Sequence, residues 1–511
     1  MPISRRAFLQ GTAASLAASA TASSAKALPA RAQLGEDKQL FRHGVASGDP
    51  LADRVVLWTR VTTTERADVT WQIASDERLT QVVARGKTTA TPDRDFTVKI
   101  DAAGLNPGRP YFYAFEAGGQ RSPIGRTRTL APRGIGRVRL AVVSCSNYGT
   151  GYFNVYRCLA NRGDLDAVVH LGDYIYESAN GAFGDGSTPG RIAQPAAPSA
   201  TLTEYRRRYA VYRTDEDLQD AHGRHPFIAV WDDHELADNA WSGGAPGHDA
   251  RAGAWTARQA AAYRAYLEWM PVRESPDRGI RLYRSFRFGA MADIVMLDTR
   301  GMRDRQLPPD DVARMDSDSR SLLGRDQERW LFQRLRDSVR EGTRWRLIGQ
   351  QIMFSSLNRP GAPVNPDFWE GYPAARKRVV DFLAEERIAN VAVLAGDIHS
   401  SWALDVPINP WGSSREPGGR PVAVELVTPA ISSVPLFGES GMRERMAALE
   451  ADAPHLKFLD GDRNGYILLD MTPERLQADW YFVPDVAARS DRESNGASVV
   501  CENGSSRLMP A

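Results

Sequence analysis

Two rhythms of apolar and polar positions divide the chain. Between residues 38 and 132, short runs such as VVLWTRV (55–61), VTWQIA (69–74), FTVKI (96–100) and YFYAFEA (111–117) are separated by Gly, Pro and Asp turns. Short alternating runs at this spacing predict a small all-β sandwich of immunoglobulin or fibronectin type. Beyond LAPRGIG (130–136) the rhythm changes: RLAVVS (139–144), AVVHLG (167–172), PFIAVWDD (226–233), DIVMLDTR (293–300), WRLIGQQIMF (345–354) and VAVLAGDIH (391–399) alternate with segments of helical pattern. That alternation predicts a mixed α/β domain over residues 136–495. PVAVELVT (421–428), NGYILLDMT (464–472) and QADWYFV (477–483) are expected to complete its core, with residues 496–511 as a polar tail. Residues 178–200, rich in Gly, Ala, Pro and Ser, read as a surface loop or lid.

Composition adds compartment and excludes some partners. The chain has 511 residues, 42% of them hydrophobic and 25% charged, enough for more than one domain with a substantial core. SRRAFLQ (4–10) followed by an Ala-rich stretch predicts a twin-arginine export signal over residues 1–32. The expected location is periplasmic or secreted, with the twin-arginine translocon as a partner during export. The apolar run is too short and too weakly hydrophobic for a lasting membrane span. Cleavage after Ala32 removes Arg5, Arg6, Lys26 and Arg31 and no acid, which leaves 60 basic against 63 acidic residues. This balance implies neither bulk nucleic-acid binding nor attraction to an anionic membrane. Three cysteines cannot all pair with one another, so at least one is free, metal-bound or paired outside the chain. Cys158 falls in a predicted helix and Cys501 in the tail, and a disulfide between these two stays open.

The chemistry collects where apolar strands end. Cys145 follows RLAVVS; HLGDYIYE (170–177) supplies Asp173 and Tyr176; VWDDHELADN (230–239) supplies Asp232, Asp233 and His234. LIGQQIMF (347–354) carries Gln350 and Gln351, and LAGDIHSSW (394–402) carries Asp397 and His399. Each has an ordinary structural reading: a helix cap for Asp173, a packed aromatic for Tyr176, an inert thiol for Cys145, a hydrogen-bonded surface histidine for His399, a solvated charge run for DDHE. Together they repeat one form, an apolar strand followed by a metal-ligating side chain. Strand C-termini of an α/β sheet share one rim, so ligands distant in sequence can meet there. Two of only eight histidines lie in these clusters, which points to a metal site.

GDYIYE, WDDHE and GDIH resemble the metal-binding blocks of calcineurin-like metallophosphoesterases, and more closely those of the PhoD-type alkaline phosphatase and phosphodiesterase family. The opening HGVASGDP…VVLWTR of that family is matched at residues 43–60, and SCS, YRRRY…YRTD, PFIAVWDDHE, LDTR, GQQ and FWEGYPAAR follow in order. The resemblance spans nearly the whole mature chain and implies a metallophosphoesterase-type β-sandwich core flanked by helices.

It also implies Fe(III) held by Cys145, Asp173, Tyr176 and His399, a set whose negative charge suits a trivalent ion. Calcium, Ca(II), would share Asp173 and take oxygens from Asp233, Asp397 and either Gln350 or Gln351, the strand direction favouring Gln351. The implied reaction is attack of a metal-bound hydroxide on phosphorus. His234 would bond the phosphoryl oxygen or protonate the leaving alkoxide. Arg300 would clamp phosphate, or else pair structurally with Asp298 or Asp304. The 178–200 loop, WSGGAPGHD (241–249), Trp369 and Tyr372 are candidates for the entrance. The expected protein is an exported monomeric enzyme that hydrolyses phosphodiesters and phosphomonoesters for phosphate acquisition. Two other readings predict different behaviour. Phospholipase D-like cleavage at lipid head groups predicts a preference for micellar lipid. A calcium-dependent surface-binding module predicts binding without turnover and leaves Cys145, Tyr176 and His234 without a role.

Overall fold

The computed structural model describes residues 40–511 apart from 133, 184–189, 250, 252, 275–280, 358–362 and 412–418. The expected export signal and part of the expected lid lie outside the described residues. Two large sheets carry the chain. One has ten strands in the order Met509–Pro510, Ser494–Glu502, Arg475–Phe482, Gly465–Met471, Val138–Val143, Ala167–His170, Pro226–Ala229, Val45–Gly48, Arg54–Arg60 and Thr97–Ala103. The other has seven, in the order Arg284–Phe288, Ala292–Met296, Trp345–Gly349, Val391–Ala395, Pro421–Val427, Ser401–Pro407 and Leu456–Asp460. The strands that lead to the candidate ligands are parallel to one another: Val138–Val143, Ala167–His170 and Pro226–Ala229 in the first sheet, Ala292–Met296, Trp345–Gly349 and Val391–Ala395 in the second. Parallel pairing requires crossover connections, and helices supply them.

Alternation along the second sheet shows how the layers stack. Leu347, Ala392 and Leu394 share one apolar cluster with Leu140, Val142 and Val169 of the first sheet. Their neighbours Ile348, Val391 and Val393 pack instead with Leu331, Leu335, Val379 and Leu383, from the helices Gly324–Arg340 and Pro373–Glu385. Each buried strand therefore has two apolar faces, which explains the near-continuous hydrophobic runs.

The N-terminal segment is less separate than its sequence pattern predicts. Ala67–Ala74, Val82–Ala90, Pro110–Ala117, Gln120–Arg121 and Gly125–Arg128 form their own sheet, whereas Val45–Gly48, Arg54–Arg60 and Thr97–Ala103 extend the ten-stranded one. Ser47 pairs in parallel register with Pro226. Val55 and Leu57 face the small N-terminal core, while Ala46 and Trp58 belong to the core of the large sheets. One layer of the expected sandwich is thus the end of the ten-stranded sheet. The C-terminal segment also differs from a tail: Ser494–Glu502 pairs along Arg475–Phe482, and Ala497, Val499 and Cys501 point into the core. Cys158 and Cys501 are buried and free, so the disulfide left open by the sequence is not formed. No helix among the described residues is long and apolar enough to cross a membrane.

Candidate metal centre and active site

The backbone at the rim adopts conformations that its residues seldom take. Cys145 (φ 61°), Asp173 (φ 54°), Asp397 (φ 65°) and His399 (φ 52°) all lie in the left-handed region. Such strain, about 1–3 kcal/mol per residue, persists only where surrounding contacts over-determine it. Those contacts are present. The Glu235 carboxylate accepts the backbone N–H groups of Asp232 (2.8 Å), Asp173 (3.0 Å) and Tyr174 (2.7 Å), and so ties two strand-end loops together. Cys145 N–H donates to the Gly172 carbonyl (3.1 Å), and Ser433 Oγ donates to the Cys145 carbonyl (3.0 Å). At Gly172 (φ 112°) an added Cβ would lie 2.4 Å from Asp232 Cβ and 2.5 Å from its nitrogen. Gly172→Ala is therefore expected to lower unfolding free energy by roughly 1–2 kcal/mol from backbone strain and by about 1–3 kcal/mol from overpacking. A urea midpoint equal to wild type would refute this.

Two donor groups meet at Asp173. On one side the donor atoms of Cys145, Asp173 and His399 lie within 4.8 Å of one another. The Tyr176 hydroxyl sits among them, 3.0 Å from Asp173 Oδ2, 2.9 Å from His399 Nε2 and 2.8 Å from Ser433 Oγ. His399 Nδ1 lies 3.0 Å from the Val434 carbonyl, a contact that places the proton on Nδ1 and leaves the Nε2 lone pair facing the cluster. On the other side Asp232, Asp233 and Asp397 converge equally closely, and Asp173, Asp233 and His234 form a third such group.

The electrostatics call for a cation. Burial pushes the Cys145 thiol and the Tyr176 phenol well above their ordinary values, and Asp173 adds to both shifts. Burial also raises Asp397 to about 7 and Glu235 to about 8. His399 is lowered to about 4, by burial and then by His234, and stays neutral. Asp233 Oδ1 is buried without a hydrogen bond, with Arg300 Nη2 at 3.4 Å. Against the cost of burial, Arg300 and His234 hold Asp233 below its ordinary value, and a bound cation would favour ionisation of the remaining acids in the same way. The donor types fit metal ions: sulfur, phenol, imidazole and carboxylate on one side, carboxylates on the other.

His234 stands beside both groups. Its Nδ1 lies 2.7 Å from Glu177 Oε2, and the other Glu177 oxygen accepts from Asp238 N at 2.9 Å. Tyr176 lies against the imidazole at 4.2 Å and Phe183 meets it edge-on at 4.5 Å between centroids. Burial opposes charge on His234, but Asp173, Asp233 and Glu177 override it and hold the ring well above 6.5. Glu177 and Asp367, described below, are absent from the residues that the sequence pattern singles out.

Three expectations are corrected by this geometry. The Gln351 carbonyl accepts from both Thr299 N (3.0 Å) and Thr299 Oγ1 (2.5 Å), while its amide donates to the Trp231 and Leu297 carbonyls. Both lone pairs of a carbonyl are then taken, so Gln351 is a structural tie between strands and not a free ligand. Gln350 likewise accepts from Trp369 Nε1 (3.1 Å) and donates to the Ile352 carbonyl. Arg300 is fully buried, and its guanidinium donates to Asp232, Asp367 (2.5 Å) and Asp397 (2.6 Å). It holds carboxylates, and its side chain pairs with neither Asp298, which accepts its backbone N–H at 3.0 Å, nor Asp304. Trp369 and Tyr372 are core residues, not entrance residues. Phe183, which meets His234, and Asn239, whose N–H donates to Asp233, are partly exposed.

Two stacked mixed sheets whose parallel central strands present a thiol, phenol, imidazole and carboxylate group, an adjoining carboxylate group and a further histidine at one rim are the architecture of a metallophosphoesterase. The comparisons narrow this class. Residues 140–480 match the PhoD-like phosphatase family and residues 24–131 its N-terminal domain. Alkaline phosphatase D of Bacillus subtilis (strain 168) is 36% identical, over 99% of this chain and 88% of its own length. A solved structure of PhoD superposes with a TM-score of 0.83 at 34% identity, covering 94% of this chain and 93% of that one. The chain belongs to the PhoD-like phosphatase family and is a phosphoesterase, with phosphate esters as its substrates. Membership of an enzyme family removes the non-catalytic binding module as a reading.

Proposed function

We propose that this phosphoesterase hydrolyses phosphodiesters as well as phosphomonoesters for phosphate acquisition, outside the cytoplasm and after export under a twin-arginine signal. In this reading Cys145, Asp173, Tyr176 and His399 hold Fe(III), and Asp173, Asp233 and Asp397 hold calcium. The observation that carries it is the convergence of Cys145, Asp173 and His399 within 4.8 Å around the Tyr176 hydroxyl. A thiol and a phenol buried together with a neutral imidazole suit a trivalent ion, whereas a cluster of carboxylates alone suits calcium. Bound there, the metals would supply Lewis acidity toward the phosphoryl group and would lower the pKa of water so that hydroxide is available near neutral pH.

The chain's own residues do the rest. Glu177 holds the His234 ring by Nδ1, which leaves Nε2 as the edge that can give a proton to the departing alkoxide. Tyr176 and Phe183 fix the plane of that ring from two directions. Arg300 balances part of the carboxylate charge from behind.

Elemental analysis of the protein, exported through its own signal and never exposed to chelator, tests the metal reading. Iron near about one equivalent, calcium in excess of it and a visible absorption band are expected, because thiolate and phenolate bound to Fe(III) absorb visible light. Zinc or manganese alone would contradict the assignment. Turnover of p-nitrophenyl phosphate without turnover of bis-p-nitrophenyl phosphate would refute the diesterase part.

A further inference from the structure

The FWEGYPAAR block (368–376) begins beside a residue that the chemistry above does not use. Asp367 is 5% exposed, between two arginines that are both fully buried. Its Oδ2 accepts from Arg300 Nη1 at 2.5 Å. Its Oδ1 accepts from Arg303 Nη2 at 2.7 Å and Gln306 Nε2 at 2.6 Å, and its carbonyl accepts from Arg303 Nη1 at 3.1 Å. Buried ion pairs of this kind are often no more stabilising than well-packed apolar side chains of similar volume. Stability alone is therefore a weak reason for such a network, and placement of a charge is a stronger one.

The charge being placed is the Arg300 guanidinium. Its three arms reach Asp367, Asp232 and the pair Asp397 and Asp233, the last at 3.4 Å. Arg300 is a resident cation among the same oxygens that form the acid-only group. A divalent ion and a guanidinium attracted to one set of carboxylates compete for it. How far Arg300 leans toward Asp233 and Asp397 depends on what holds its opposite side, and Asp367 is the only carboxylate on that side among the described contacts of Nη1. At present Arg300 takes Asp397 through Oδ1, and Asp233 Oδ1 stays without a hydrogen bond.

We propose that Asp367 is a positioning residue for the oxygen-donor half of the centre: by anchoring one arm of Arg300, it restrains the guanidinium from filling the space between Asp233 and Asp397 that a divalent cation needs. Asp367 itself touches neither metal nor substrate. The proposal rests on the metal reading above.

The test uses full-length exported protein dialysed against buffers of graded free calcium, with bound calcium counted per chain and iron as the internal reference. In Asp367→Asn, half-saturation is expected to need about tenfold more free calcium, the usual effect of losing a partner just outside the ligands. Iron content should hold, and kcat/KM should fall at low calcium and recover in excess calcium, which a general loss of folding would not do. Gln306→Ala, which removes one donor to Asp367 and leaves Arg300 intact, should shift the curve in the same direction by less; it decides the matter if Asp367→Asn does not fold. A wild-type curve with calcium bound, and variant curves superposed on it, would overturn the proposal alone. A wild-type protein that takes up no calcium would overturn the metal reading and this proposal with it.

Discussion

Exchanging Cys145 for serine is expected to empty the centre of most of its iron and to lower kcat/KM on phosphodiesters by at least about 10²-fold, beyond the range seen for losing a partner outside the ligands. The thiol is fully buried and burial pushes its pKa up, so the sulfur becomes a thiolate only where a metal displaces its proton. A serine hydroxyl in the same place is far harder to ionise, and Asp173, Tyr176 and His399 alone supply fewer negative charges to a trivalent ion. Serine is close to cysteine in size, and the contacts that set the loop run through the backbone of Cys145, to Gly172 and Ser433. The fold should therefore survive, and far-ultraviolet circular dichroism should match wild type while iron per chain and the visible band collapse. A variant with full iron and an unchanged rate would remove Cys145 from the centre.

The donor residues that converge at the rim were legible because each follows an apolar run that already announces a strand end. Cys145, Asp173, Asp233, Asp397 and His399 need only the rule that parallel strands share a rim. Their supports were not legible for a physical reason. Glu177, Arg300, Asp367 and Gln351 act through contacts between separate loops and strands, and nothing in GDYIYE says that its last carboxylate turns toward His234 while the one at Asp173 turns to the donor cluster. Gln351 shows the opposite hazard: a good ligand type at a strand end, whose lone pairs tertiary contacts with Thr299 had already taken.

The fold divides the same way. Alternating strands and helices gave the α/β class, but RVVLWTR reads equally well as a sandwich strand and as a strand covered on both faces, and the structure uses it as the second. The C-terminal strand hides a period of two, Ala497, Val499 and Cys501, inside a stretch otherwise rich in Ser, Asn and Gly. That alternation was the available signal, and the surrounding polarity masked it.

His234→Asn is expected to keep iron and calcium near wild-type content while lowering kcat by about 10²–10⁴-fold, the usual range for losing a general acid or base. The two parts of the result are separable because His234 has a double position. Its donor atom falls within reach of Asp173 and Asp233, so it could serve as a third ligand, yet Nδ1 is held by Glu177 and the ring is fixed between Tyr176 and Phe183. A ligand lost should show as metal lost. A proton donor lost should show instead in the leaving group: p-nitrophenolate departs without a proton, whereas an alkoxide needs one, so the defect should be small for nitrophenyl esters and large for alkyl esters. Glu177→Gln, which keeps the ring's hydrogen-bond partner but not its charge, should give the same leaving-group pattern with a smaller loss. Equal losses on both ester types, together with metal depletion, would move His234 from proton donor to ligand and leave the departing alkoxide to take its proton from water.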